Sequence, residues 1–298
     1  MSFKKGLVCM LVAGACAAIT AQAQELTGTL KKIKETGVVS LGYRDAYLPF
    51  SYLNDKQEPL GYTLDICQKI VGALKQELQL TNLQTKYVSV VAASRTPLLV
   101  NHTIDLECGV TTNTVERQKQ IGFLTTSYVA AAKFVAKKSS GLKSVADLKG
   151  KPVVVVTGTT GEKIAKEMDN KQGMGLRLLQ AKDGAEAFIM LETGRAVAYI
   201  NDDALIFGAI ANNKRPGDFH LLPEALSEEP YGIAIRKDDP QFKAFADKVI
   251  RGLYTSGEIN QIYKRWFEQP VPPRNVVLNV PMGPALKNAI ANPNDKGI

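Results

Sequence analysis

Short β-branched runs alternate with amphipathic runs of helical length along almost the whole chain, and this alternation constrains the fold more than any other feature. Val38-Val39-Ser40-Leu41-Gly42-Tyr43 and residues 87–91 read as strands. Pro152-Val153-Val154-Val155-Val156 is apolar at successive positions, as in a strand covered on both faces. Residues 64–78 place Ile66, Ile70, Val71 and Leu74 on one stripe, the spacing of a helix. Residues 185–193 predict a helix stopped by Gly194, and residues 196–200 the next strand. Residues 240–256 and 258–267 close the pattern as helices. Strands alternating with helices predict an α/β fold with largely parallel sheets. A length of 298 residues suits two domains of moderate size. From Pro270 onward the chain is rich in proline (Pro270, Pro272, Pro273, Pro281, Pro284, Pro293), which predicts an extended surface segment with frayed end residues.

Residues 1–23 carry the three parts of an export leader. Lys4 and Lys5 supply the charge, residues 6–19 the apolar run, and Ala21-Gln22-Ala23 an A-x-A cleavage site. The run is shorter than the roughly 20 residues that span a bilayer. Export with cleavage after Ala23 is therefore expected. The chain has 37 basic and 29 acidic residues, so losing Lys4 and Lys5 lowers the net charge from +8 to +6. The charges are scattered without interleaved aromatics, so no nucleic-acid partner is expected, while a modest positive charge favours anionic ligands. Cleavage would leave Cys67 and Cys108. They could pair in an oxidising compartment or lie buried as small apolar residues, and spacing does not decide between the two.

Catalytic signatures are sparse. His102 and His220 stand far apart, and no His/Cys cluster has metal-ligand spacing, so neither metal nor cofactor is expected. Residues 157–163 fail the full phosphate-loop spacing, and neither a G-x-S-x-G elbow nor a dinucleotide fingerprint is present. An anion site is better supported. Residues 109–114 and 157–161 are hydroxyl- and glycine-rich loops that follow strands and lead into helical turns, where free N–H groups attract a carboxylate. Arg117 lies just beyond the first loop, Arg44 follows the first strand, and Arg95 begins a short helix; guanidinium groups take carboxylates bidentately. Asp202-Asp203 follows a strand. One aspartate would cap the next helix and the other pair with an ammonium group.

These residues occur within a longer series of matching stretches. They include Gly42-Tyr43-Arg44, Pro49-Phe50-Ser51-Tyr52, Asp105-Leu106-Glu107-Cys108-Gly109, Val115-Glu116-Arg117-Gln118-Lys119, Gly158-Thr159-Thr160, Gly194-Arg195-Ala196-Val197-Ala198, Asn201-Asp202-Asp203-Ala204 and Tyr231-Gly232. In order and spacing the chain resembles the polar amino-acid-binding proteins of ABC importers, solute-binding protein family 3, and most closely their glutamate/aspartate-binding branch. The resemblance runs from about Leu26 to the C-terminal tail.

It implies a periplasmic, monomeric, two-lobed α/β protein, each lobe a mostly parallel sheet flanked by helices, joined by two crossover strands. Residues 24–127 with 231–298 would form lobe 1 and residues 128–230 lobe 2. An amino-acid ligand would lie between them, and a membrane-embedded ABC permease would be the partner. Arg117, Thr112 and Thr160 would hold the ligand α-carboxylate. Asp202 and the Val110 carbonyl would take its ammonium group. Arg44 and Arg95 would grip a side-chain carboxylate, with Tyr47 as an aromatic wall. The chain departs from the branch at Ala92 and Val110, where serine is common, and at Gly184, where histidine is common. A looser side-chain pocket is expected there. A periplasmic enzyme of the same fold, such as a cyclohexadienyl dehydratase, and a sensory binding protein are the alternatives.

Overall fold

The computed structural model describes residues 25–298; the leader expected over residues 1–23 lies outside them. Two sheets organise the chain. The first has five strands in the order Gln84–Ser89, Val38–Tyr43, Leu106–Glu107, Ala234–Arg236, Ile121–Phe123. Val38–Tyr43 runs parallel to its two neighbours, and Ala234–Arg236 is antiparallel to both of its own. The second sheet has six strands. Arg177–Ala181, Pro152–Val156 and Ala198–Asp202 are parallel, and Tyr128–Lys137 lies antiparallel beside Ala198–Asp202. Phe219–Leu221 and Ser227–Tyr231 both pair with Tyr128–Lys137. A small sheet of Ala46–Tyr47, Ser51–Leu53 and Pro59–Leu60 stands beside the first.

The valine strand shows how the second sheet is covered on both faces. Side chains alternate across a strand. Val153 and Val155 pack with Ala165 and Met168 of helix Thr160–Gln172. Val154 and Val156 pack with Ala187, Phe188 and Leu191 of helix Gly184–Glu192. Burying each valine contributes about 1.5–3 kcal/mol. In the first sheet, helix Tyr62–Glu77 buries Ile66, Cys67, Ile70, Val71 and Leu74. It begins at Gly61, where φ is 137° and a Cβ would collide with the Phe50 carbonyl, so only glycine fits.

The chain passes from the first sheet to the second at Ser127-Tyr128 and returns along Ser227–Tyr231, with Tyr231 opposite Tyr128. Aromatic rings pin this crossing. Phe50 stands edge-on to Tyr128 at 4.7 Å and Phe267 stacks on Tyr128 at 5.3 Å, while the Tyr62 hydroxyl donates to the Ser127 carbonyl at 2.8 Å. Cys67 and Cys108 form a disulfide, joining helix Tyr62–Glu77 to the end of strand Leu106–Glu107.

Three expectations change. The strand expected over 87–91 is Gln84–Ser89, because at the sheet edge its polar residues need no cover. The strand expected over 196–200 is Ala198–Asp202. The tail is not extended throughout. Pro284–Ala291 is a helix that buries Leu286 and Ala289, for proline in the first turn lacks only an N–H that would be unpaired anyway. Nor are the end residues without partners. Val115 N–H donates to the Ile298 oxygen at 2.9 Å and Ile298 N–H to the Asn113 carbonyl at 3.1 Å.

Candidate ligand-binding site

Strand ends and helix starts bring the charged residues together. Arg44 leaves strand Val38–Tyr43 directly, and Arg95 opens helix Arg95–Val100. Thr114 caps the turn Val115–Gln118 by accepting from the Arg117 N–H at 3.1 Å, which sets the direction of the Arg117 side chain. From the second sheet, Thr159 caps helix Thr160–Gln172 and Asp202 ends strand Ala198–Asp202.

Arg44, Arg95, Arg117, Thr159 and Asp202 line one small, tight cavity. Arg44, Tyr47, Arg95, Val110, Thr112 and Arg117 form one wall, and Thr159, Thr160, Gly161, Asn201, Asp202 and Leu205 the other. All eight residues singled out from the sequence are among them. Arg44 and Arg95 are 2% and 3% exposed. The Arg44 guanidinium lies over the Tyr47 ring at 4.1 Å, a cation–π contact, and its Nη2 has no hydrogen-bond partner among the described residues. Arg95 Nη1 donates to the Val110 carbonyl at 3.4 Å. That carbonyl keeps a second lone pair for a ligand donor. Arg117 Nη1 donates to the Thr112 carbonyl at 2.8 Å and its Nη2 to the Gly158 carbonyl at 3.1 Å, so one side chain spans the two walls.

The electrostatics are those of a site built for charged groups. Burial lowers the Arg95 pKa to about 9, with the positive charges of Arg117 and Arg44 adding to the effect and Glu107 opposing it. Burial also lowers that of Arg117, against the pull of Glu229 and Asp202. Burial raises the pKa of Asp202, Glu229 raises it further, and the Tyr231 hydroxyl that donates to Asp202 Oδ2 partly offsets them. Three guanidiniums beside a helix N-terminus can hold carboxylates. The Asp202 carboxylate on the facing wall can hold an ammonium.

The two aspartates divide their work. Asp203 accepts from the N–H groups of Ala204 at 2.7 Å and Ala131 at 3.1 Å, which leaves Asp202 to face the cavity. Ala92 and Gly184 do not line it. Ala92 packs in the apolar cluster of Val154 and Val156. Gly184 N–H donates to the Tyr47 hydroxyl at 2.9 Å, and a Cβ there would stand 3.1 Å from that ring. Tyr47 thus stands against the position where a side chain at 184 would begin.

Sequence reasoning placed Thr159 and Gly161 in an anion-binding loop, but it missed Asn201 and Leu205 as lining residues, and it missed Glu229. Glu229 is fully buried and accepts from Thr160 Oγ1 at 2.9 Å and from Ser227 Oγ. In the sequence it is indistinguishable from its exposed neighbour Glu228.

A charged cavity between two sheets, reached through paired crossovers, defines a two-lobed solute-binding protein. The chain belongs to the bacterial extracellular solute-binding proteins, family 3, which it matches over residues 39–269. It is 48% identical over 275 residues to the L-glutamate/L-aspartate-binding protein of Pseudomonas aeruginosa, covering 92% of this chain and 91% of that one. It is 42% identical over 270 residues to the glutamate/aspartate import solute-binding protein of Escherichia coli K12, covering 91% and 89%. The solved structure of an ancestral amino-acid-binding protein, a precursor of cyclohexadienyl dehydratase, matches with a TM-score of 0.68 at 26% identity, covering 81% of this chain and 100% of that one. The two bacterial relatives are binding proteins rather than enzymes.

Proposed function

We propose that this protein is a monomeric periplasmic receptor that binds glutamate or aspartate and hands it unchanged to the membrane-embedded permease of an ABC importer. Residues 24–127 with 231–298 form one lobe and residues 128–230 the other, and the ligand closes them. One observation carries the ligand class: Arg44 and Arg95 are both buried in a cavity that already holds Arg117 for an α-carboxylate and Asp202 for an ammonium. Arg117, Thr112 and Thr160 grip the α-carboxylate, Asp202 and the Val110 carbonyl the ammonium, and Arg44 and Arg95 the side chain against Tyr47. The similarity to the two bacterial proteins supports the same ligand class.

The likeness to a dehydratase precursor keeps an enzyme reading on the table. The cavity argues against it. Among the described residues, Asp202 is the one carboxylate lining it and neither histidine nor lysine does, and Asp202 is tied to the Tyr231 hydroxyl. Calorimetry with a panel of amino acids tests the proposal, with mass spectrometry of the ligand recovered afterward. Glutamate or aspartate should exceed glutamine and asparagine by about a hundredfold, since a neutral side chain leaves buried positive charge without a ligand anion. Tighter binding of glutamine or arginine would sink the acidic-ligand reading; chemical conversion of the ligand would establish the enzyme.

A further inference from the structure

Glu107 does not line the cavity, yet it lies behind the side-chain clamp. It is 1% exposed. Its Oε2 accepts from Thr111 Oγ1 at 2.6 Å, and its Oε1 has no partner among the described residues. A Cβ on Gly109 would overlap that Oε1 and stand 2.8 Å from Arg44 Cγ, so the bare glycine makes room for the carboxylate beside the aliphatic stem of Arg44. Arg44 Nη2 is likewise buried and without a partner. The charge of Glu107 also acts on Arg95, favouring its protonated form. Two buried guanidiniums with no fixed anion would be costly in the empty protein. With one fixed anion, the pair presents a single net positive charge to whatever enters.

Resting on the acidic-ligand reading above, we infer that Glu107 is a specificity-determining residue that tunes the Arg44–Arg95 clamp to a side chain bearing one negative charge. A neutral side chain leaves the clamp with an uncompensated positive charge, and a doubly charged one leaves an excess anion. Gly109 is the positioning residue that permits the arrangement.

Two ligands of one shape separate charge from size: L-homocysteate, with a tetrahedral sulfonate of one charge, and L-2-amino-4-phosphonobutanoate, with a phosphonate carrying two above its second ionisation. Calorimetry above that ionisation should show the wild type preferring the sulfonate by about tenfold or more. Glu107→Gln keeps an acceptor for Thr111 and removes the charge. It should shift the sulfonate-to-phosphonate affinity ratio by about tenfold toward the phosphonate, a change that loss of packing alone would not produce. A wild type that prefers the phosphonate overturns the inference without any variant. A folded Glu107→Gln protein with an unchanged ratio overturns it as well. In both cases glutamate binding by the wild type leaves the receptor reading standing. A wild type that binds neither glutamate nor either analogue overturns both.

Discussion

The Tyr47 hydroxyl accepts the backbone N–H of Gly184 at 2.9 Å, joining the small sheet beside the first lobe to the first turn of a helix in the second. The same ring lies under the Arg44 guanidinium at 4.1 Å. One tyrosine therefore joins the buried Arg44 to a contact between the two lobes.

A side chain at 184 competes with that ring, because its Cβ would stand 3.1 Å away. Gly184→His is expected to displace Tyr47 and weaken glutamate or aspartate binding. Tyr47→Phe keeps the cation–π contact but loses the hydrogen bond, a cost of about 0.5–1.5 kcal/mol. Titration calorimetry on both variants checks this; tighter binding by Gly184→His would remove Tyr47 from the coupling.

Arg117 holds carbonyls of both walls through Thr112 and Gly158. Arg117→Ala should weaken ligand binding by about 2–5 kcal/mol, the range for truncating one partner of a buried charge pair. Affinity within a factor of two of wild type would place the α-carboxylate elsewhere.

Affinity should depend on pH with a definite sign. In the empty cavity Asp202 has a raised pKa through burial and the neighbouring Glu229. An ammonium ligand requires Asp202 ionised, so on the acidic side binding releases a proton and affinity falls as pH falls, by at most about tenfold per unit. On the alkaline side Arg95 gives up its proton as pH rises past about 9, and the side-chain clamp weakens. Calorimetry in buffers of different ionisation enthalpy should register proton release below neutrality. Proton uptake there would contradict the assignment of Asp202 to the ammonium.

The Cys67–Cys108 bridge spans a sequence separation of 41 and ends beside Glu107 and Gly109. Replacing both cysteines with serine should lower stability by about 2–4 kcal/mol, chiefly by freeing the unfolded chain. Urea denaturation measures it directly, and a midpoint unchanged from the oxidised wild type would argue that the bridge contributes nothing.

The C-terminal strap positions the anion loop. The Asp295 carbonyl accepts from the side-chain amides of Asn113 at 2.8 Å and Gln118 at 3.0 Å. The Asn294 carbonyl accepts from Thr126 N–H at 2.9 Å. Deleting residues 292–298 should leave the fully buried Asn113 short of a partner, at about 1–3 kcal/mol, and loosen the segment that carries Arg117. A severalfold loss of affinity with an unchanged order of ligands is expected; full affinity in the truncated chain would rule out a positioning role.

Much of this architecture was legible in the linear order of residues. Val38–Tyr43, Pro152–Val156 and Glu258–Phe267 fall where the apolar period places them, because a strand or helix announces its buried face within a few residues. The cavity-lining arginines and threonines were legible for a similar reason. In a parallel α/β sheet the functional loops follow the strands, so a residue's place after a strand already locates it.

What stayed hidden depends on partners distant in the chain. By spacing alone Asp202 and Asp203 read alike, and only the resemblance singles out Asp202; in the fold Ala131, on another strand, takes Asp203. Glu229 and Glu228 read alike until the crossover buries only the first. The pairing of Cys67 with Cys108, the helix within the proline-rich tail, the Tyr47 contact with Gly184 and the place of Glu107 behind Arg44 share the same origin. Local pattern reports how one segment divides water from core. Burial of a charge and the identity of its partner arise only when separate segments pack, since the cost of removing a carboxylate from water is offset by whichever groups the fold brings to it.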